Sequence, residues 1–206
     1  MKNLSRPLAG VVLLIAIGLG IGLTVLLENA AAPAIQANRD ALRNQMFRGV
    51  IPMESYDNQP LQHPLTLPDR TASSVVHDGF LATQGGQPRA IIFRSVGQGY
   101  AGPLELLIGV SVEGRLMGIK VLKHTETPGL GGRIVSVPQW LNGLLGKSLT
   151  DPDEASWRLK QDGGAFDQIA RATITSRAAM ETIRETLRYF DAEKNRLLPH
   201  ATGEQP

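Results

Sequence analysis

Apolar residues follow one another without a charge from Leu8 to Leu27, the longest such run in the chain. As a helix, a run of this length crosses about 30 Å of hydrocarbon. The apolar part of a cleaved signal peptide is typically only about 7–15 residues long. The pattern therefore predicts an uncleaved transmembrane anchor over residues 8–27. A signal peptide cleaved near Ala30–Ala32 is the alternative.

Charges on the two sides of this run are unequal. Lys2 and Arg6 precede it, whereas Glu28 follows it and the next basic residue is Arg39. Basic residues stay preferentially on the cytoplasmic side of a membrane. We therefore expect a single-pass protein with its N-terminus in the cytoplasm. In a bacterium, the main domain would lie in the periplasm, anchored in the inner membrane.

Shorter patterns follow the predicted anchor. Ile35, Leu42 and Met46 recur at helical spacing, which predicts a short helix. Four prolines between Pro52 and Ser74 predict an extended connection rather than regular structure. The predicted segments are a cytoplasmic N-terminus (1–7), the anchor (8–27), a helix with a proline-rich connection (28–75), a folded domain (76–199) and a polar tail (200–206).

Within the predicted domain, short apolar runs alternate with turn-forming residues, as is typical of β-strands. The predicted strands are Ala90–Val96, Leu104–Val112, Arg115–Lys123 and Trp157–Lys160. Glu113-Gly114 predicts a hairpin turn between the second strand and the third.

Two helices are predicted in the same region. A short helix is predicted over Pro138–Leu145, and a long helix is predicted from Ser176 to about Asn195. The long helix places four large apolar residues on one face, namely Met180, Ile183, Leu187 and Phe190. Such a face is expected of a helix packed on a sheet. The fold class is therefore α+β, with a small, mainly antiparallel, twisted sheet and flanking helices.

Composition excludes several kinds of site. The chain of 206 residues contains no cysteine, which excludes disulfides, thiolate metal sites and c-type haem attachment. Its formal net charge is only +2, with no basic cluster typical of nucleic-acid binding. His63, His77 and His200 have no partner at metal-ligand spacing, so no metal site is predicted.

Hydroxyl side chains are concentrated where the long helix begins. Thr173, Thr175 and Ser176 follow a glycine-bearing segment that starts at Asp162. A helix N-terminus has unpaired N–H groups and a positive dipole end, so it attracts an anion such as phosphate. The alternative is that Thr175 or Ser176 merely caps the helix.

Two glycine-bearing segments lie elsewhere in the domain. Residues Gly97–Gly102 match the spacing G-x-G-x-x-G, but Pro103 and a strand follow where a dinucleotide-binding turn needs a helix. This segment is therefore predicted to be a turn before a strand. Residues His124–Gly132 combine polar groups with glycines and form either a ligand loop or a surface loop.

Together these segments resemble a known family. In order and spacing, four segments are similar to the G subunit of the bacterial Rnf (Rsx) electron transport complex: Tyr100–Leu104, His124–Gly131, Lys160–Gln168 and, after it, Ala172–Thr175. The resemblance extends over nearly the whole chain, including the anchor. The C subunit of the sodium-translocating NADH:quinone reductase has a related FMN-binding domain and is the alternative within this resemblance.

In that family, a flavin transferase attaches FMN by a phosphoester to a threonine in the motif Asp-x-x-Ser/Thr-Gly-Ala-Thr/Ser-x-Thr. The resemblance implies that Thr173 is the acceptor, with Asp167, Ala172 and Thr175 also matching. Ala170 and Arg171 depart from the motif, which has Ser or Thr and then Gly at these positions. Arg171 is a candidate to hold the phosphate through its guanidinium group.

The resemblance also implies a function and further site residues. The protein would relay electrons on covalent FMN, together with the other Rnf subunits, as part of an ion-translocating oxidoreductase. A flavin-free structural subunit of the same complex is the alternative. The residues predicted to line the flavin are Tyr100, Gly102, His124, Glu126, Thr127, Gly129 and Leu130. Glu126 and His124 either tune the flavin or structure their loop.

Overall fold

The computed structural model describes residues 10–11, 13–28, 30–31, 49–68 and 73–198. The chain divides into two compact units, Met1–Gln45 and Met46–Pro206. In the first unit the described residues are helical. Among the described residues, no helix is both long enough and apolar enough to cross a membrane. The predicted N-terminus, the helix around Ile35–Met46 and the polar tail lie outside the described residues.

A five-stranded antiparallel sheet forms the centre of the second unit, and its spatial order follows the chain. The strands are β1 (Pro64–Leu65), β2 (Val76–Gln84), β3 (Gln87–Gln98), β4 (Pro103–Ser111) and β5 (Leu116–His124). Gly85 and Gly86 join β2 to β3 with φ values of 58° and 76°. Two consecutive positive φ angles are those of a type I′ hairpin turn, which matches the twist of the strands.

Three helices follow the sheet: α1 (Arg133–Ser136), α2 (Pro138–Asn142) and α3 (Thr173–Leu197). The predicted apolar face of α3 is confirmed, because Met180, Ile183, Leu187 and Phe190 are all at most 1% exposed. They pack with the sheet in the larger core cluster. Burying each such side chain stabilises the fold by about 1.5–3 kcal/mol. The predicted α+β fold with an antiparallel sheet is thus confirmed.

The opposite face of the sheet is covered by a segment that the sequence pattern assigns to the connection. Val50 and Ile51 are buried against Ala82, Ala90 and other residues of β2–β4. A Cβ atom at Gly118 would collide with the Val50 carbonyl group. Short 3₁₀ helices, Met53–Ser55 and Pro60–Gln62, then lead to β1 at the sheet edge.

The predicted fourth strand, Trp157–Lys160, is wrong. Leu159 forms only an isolated bridge with Phe166, and Lys160 begins a 3₁₀ helix that ends at Asp162. An apolar residue at position 157 is explained by burial rather than by a strand. The Trp157 ring is buried in the core, and its Nε1 donates to the Ser148 carbonyl group at 2.9 Å. The fourth long strand is instead β2. Polar residues near its start interrupt the apolar pattern from which strands are predicted.

The start of the long helix also differs from the prediction. α3 begins at Thr173, three residues before Ser176, and its N-cap is Ala172 without a side-chain cap. Ser176 Oγ instead accepts a hydrogen bond from the Ile169 N–H at 3.0 Å. The Thr175 hydroxyl donates to Glu126, far from the helix end in sequence. Capping by Thr175 or Ser176 is therefore wrong.

Candidate functional site

Glu126 joins the three segments that the sequence motifs single out. Its carboxylate accepts a hydrogen bond from the Ala101 N–H at 3.2 Å through Oε1, and one from the Thr175 hydroxyl at 2.9 Å through Oε2. Glu126 is only 4% exposed. A buried carboxylate is costly unless hydrogen bonds compensate for lost water. The turn before β4, the loop after β5 and the start of α3 are therefore held at one point.

Glycines permit this close approach. A Cβ atom at Gly99 or at Gly131 would collide with a carboxylate oxygen of Glu126. The Gly99 N–H also donates to the Gly102 carbonyl group at 2.8 Å, and β4 begins directly afterwards at Pro103. The prediction of a turn before a strand is confirmed, and the space left by these glycines is filled by Glu126.

The hydroxyl groups at the start of α3 have different environments. Thr175 and Ser176 are at most 1% exposed, and both side chains form hydrogen bonds inside the protein. Thr173 is partly exposed, and its hydroxyl group has no hydrogen-bond partner among the described residues. Since Thr173 is the first residue of the helix, its side chain lies where unpaired N–H groups favour an anion.

Arg171 has an unusual backbone conformation. Its φ is 67°, and no other non-glycine residue of the described part of the chain has a positive φ. This left-handed conformation costs a residue with a Cβ about 1–2 kcal/mol, whereas glycine adopts it freely. The geometry thus accounts for glycine in the motif. The exposed Arg171 side chain forms no ion pair within the described residues.

The backbone of residues 167–172, here named the attachment loop because it precedes the predicted acceptor Thr173, is held by side chains from outside it. Arg133 Nη1 donates to the Ala170 carbonyl group at 2.9 Å, and Trp140 Nε1 donates to the Asp167 carbonyl group at 2.6 Å. The Asp167 carboxylate pairs with Lys160 at 2.7 Å. Sequence reasoning missed Arg133 and assigned Trp140 only to a helix, because neither residue belongs to a recognisable motif.

The other predicted residues lie on the turn before β4 and on the loop after β5. The Thr127 carbonyl group accepts from the Leu130 and Gly132 N–H groups, each at 3.1 Å, and Gly129 has a φ of 76°. His124 ends β5, and its buried Nδ1 has no partner among the described residues. Its predicted role stays a prediction, as does that of Thr127.

Large apolar side chains are exposed around the same segments. Outside the first unit, six such residues are described: Met53, Tyr100, Leu130, Val135, Leu145 and Ile174. Four of them belong to the turn, to the loop and the helix that follows it, or to the start of α3. Glu126 joins these segments, so their exposed apolar groups are candidates for a binding surface.

A salt bridge lies one turn further along α3. The Arg177 guanidinium group binds both oxygens of Asp162, at 2.8 and 2.9 Å. This hydrogen bonding lowers the pKa of Asp162 below its ordinary value. None of the hydrogen bonds of this pair involves the attachment loop, so the pair provides a control for experiments on it.

Comparison with known proteins identifies the class of this domain. Residues 99–188, from the Gly99 turn into α3, match the FMN-binding domain family. The second unit thus contains an FMN-binding domain. The fold agrees with the C subunit of the Na(+)-translocating NADH-quinone reductase from Parabacteroides distasonis, with a TM-score of 0.51 at 20% identity over 79% of this chain and 95% of that one.

Relatives at higher identity identify the family. This chain is 42% identical to the G subunit of the ion-translocating oxidoreductase complex of Pseudomonas aeruginosa, over 87% of its length and 86% of the relative's. The corresponding G subunit of Vibrio cholerae is 32% identical over 91% of both chains. The chain belongs to the family of G subunits of ion-translocating oxidoreductase complexes. The resemblance inferred from the motifs is confirmed.

Proposed function

We propose that this protein relays electrons in an ion-translocating oxidoreductase complex, on an FMN attached covalently to Thr173. The observation that carries the assignment is the difference among three hydroxyl groups. Thr175 and Ser176 are buried and hydrogen-bonded, whereas Thr173 is partly exposed and its hydroxyl has no partner among the described residues. Thr173 is therefore the group available for modification.

The residues around Thr173 fit the two chemical parts of FMN. The start of α3 favours a phosphodiester, whose negative charge is stabilised by about 0.3–1 kcal/mol at a helix N-terminus. Tyr100, Leu130 and Ile174 offer exposed apolar surface for a planar ring system. FMN supplies the electron transfer, while the protein binds it, orients it and adjusts its surroundings.

Attachment requires a flavin transferase and an activated donor in which the FMN phosphate is part of a phosphoanhydride. The Thr173 oxygen forms a new bond to phosphorus and the phosphoanhydride P–O bond breaks. The leaving phosphate group takes the bonding electron pair, and the hydroxyl proton passes to a base. No electrons are gained or lost, so the flavin is attached without redox chemistry.

A flavin-free structural subunit is the second candidate function. Arg171 favours it, because a residue with a Cβ occupies the left-handed position at which the motif has glycine. A chain that is a poor acceptor would still fold and assemble with its partners.

Attachment is tested by mass spectrometry of the protein coexpressed with a flavin transferase. Trypsin cleaves after Arg171 and Arg177, so residues 172–177 form one peptide. We expect the mass of an FMN phosphoester on Thr173 of this peptide after denaturation. Thr173→Val, which keeps the side-chain shape, is expected to lose it completely, and Thr173→Ser is expected to retain it.

Two results would contradict this proposal. FMN released from the wild type on denaturation would exclude a covalent bond. Wild type without FMN, yet assembled with the other subunits, would support the structural role instead.

We also propose that residues 8–27 anchor the protein in the inner membrane with the second unit in the periplasm. The uncharged run and the preceding Lys2 and Arg6 support this topology. Because the chain lacks cysteine, one introduced thiol is a unique label. In spheroplasts, an impermeant maleimide is expected to label Gln84→Cys, whereas Asn3→Cys reacts only after lysis. A soluble chain beginning near Ala32 would instead support a cleaved signal peptide.

A further inference from the structure

We propose that Arg133 and Trp140 are positioning residues for flavin attachment, which hold the attachment loop in the conformation that presents Thr173. This inference rests on the proposed function. Both side chains donate to backbone carbonyl groups of the loop, Arg133 to that of Ala170 at 2.9 Å and Trp140 to that of Asp167 at 2.6 Å. Neither belongs to the motif that contains Thr173.

The helices that carry these donors are fixed in the core. Ile134 is fully buried beside Arg133, and Leu141 is 4% exposed beside Trp140. The Ile134 N–H also donates to the Gly131 carbonyl group at 3.1 Å, which ties α1 to the loop containing Glu126. The two donors therefore have defined positions, although the groups that they bind belong to an exposed segment.

The attachment loop needs such support because it contains a strained residue. A left-handed conformation at a residue with a Cβ persists only where surrounding contacts impose it. Arg171 has this conformation directly after Ala170, whose carbonyl group Arg133 binds. On the other side of Arg171, the Ala172 N–H donates to the Ile169 carbonyl group at 2.9 Å, closing a tight turn.

Loss of this support would move the acceptor. Thr173 directly follows the turn, and a displacement of about 1 Å is sufficient to slow an enzymatic reaction strongly. Since the residues whose carbonyl groups are bound, Asp167 and Ala170, are exposed, these two hydrogen bonds contribute more to local order than to the stability of the core. Variants that lose one donor are therefore expected to fold normally and to react slowly.

The experiment uses the full-length chain with Arg133→Gln and with Trp140→Phe, which keeps the apolar ring and removes the N–H donor. Hydrogen–deuterium exchange of residues 167–173 is expected to accelerate about fivefold to tenfold, which corresponds to loss of one hydrogen bond. The kcat/KM of the flavin transferase for each variant is expected to fall by a similar factor, as followed by intact mass. Thermal unfolding is expected to change little.

Two further variants separate positioning from general effects. Arg133→Lys restores a donor and is expected to recover much of the attachment rate. Arg177→Gln removes an arginine from α3, the helix that carries Thr173, but the hydrogen bonds of Arg177 are to Asp162. This variant is expected to change neither exchange in the loop nor attachment.

The possible outcomes are distinct. Unchanged exchange in Arg133→Gln and Trp140→Phe would overturn the inference, because the donors would not hold the loop. Faster exchange with an unchanged kcat/KM would overturn it as well, because loop order would not matter to the transferase. A wild type that never acquires FMN would overturn the proposed function itself, and the inference with it, whatever the exchange rates show.

Discussion

Replacing Gly131 by alanine is expected to destabilise the second unit by about 2–3 kcal/mol and to prevent FMN attachment. A methyl group at this position would collide with Glu126 and approach the Thr175 hydroxyl closely. It would therefore separate the carboxylate from the helix that carries Thr173. Denaturant unfolding gives the change in stability, and intact mass gives the loss of FMN.

Gly129 is the matched control for this substitution. It lies in the same loop with a φ of 76°, and an added Cβ would meet nothing within 4 Å. Gly129→Ala therefore introduces backbone strain of about 1 kcal/mol without a collision. FMN attachment is expected to persist in Gly129→Ala. Equal loss of stability and of attachment in both variants would show that loop conformation, not the space beside Glu126, is what matters.

Replacing Arg171 by glycine is expected to stabilise the protein by about 0.5–1 kcal/mol and to increase the rate of FMN attachment several-fold. Glycine adopts a φ of 67° without strain, although it also gives the unfolded chain more freedom, which offsets part of the gain. Thermal unfolding and the time course of attachment measure the two effects.

Substitution of Arg171 by asparagine distinguishes the effect of backbone strain from the effect of the side-chain charge. Asn tolerates the left-handed conformation better than arginine and carries no charge. If only strain limits attachment, Arg171→Asn is expected to react faster than the wild type. If the guanidinium group holds the phosphate, both Arg171→Asn and Arg171→Gly are expected to react more slowly. Slower reaction of both variants would contradict the predicted increase.

The parts of the fold that depend on local pattern were predictable from the sequence. The apolar face of α3 and the hairpin at Glu113-Gly114 follow from periodicity and turn chemistry, and both are present. β2 was missed because His77, Asp78 and Gly79 interrupt its pattern. The Asp78 carboxylate forms an ion pair with Arg94 on the neighbouring strand β3, a contact that no local signal indicates.

The candidate site was predictable only as a set of segments. Their motifs indicated that the turn, the loop and the start of α3 belong together, but not that Glu126 joins them. Nor did the sequence reveal that Thr175 and Ser176 are occupied by internal hydrogen bonds, which leaves Thr173 accessible. Arg133 and Trp140 bind backbone carbonyl groups, and every residue type presents those. Such contacts carry no signature in the sequence.

The hydrogen bonds of Glu126 connect residues that are far apart along the chain. Its partners Ala101 and Thr175 are separated from it by 25 and 49 positions. The contact with Ala101 requires β4 to be paired with β5, and the contact with Thr175 forms only when α3 has packed on the sheet. The surroundings of Thr173 are therefore absent from an unfolded or partly synthesised chain. Under the proposed function, FMN is therefore attached only to molecules that have completed folding. The redox cofactor is thus present only on subunits that are able to assemble.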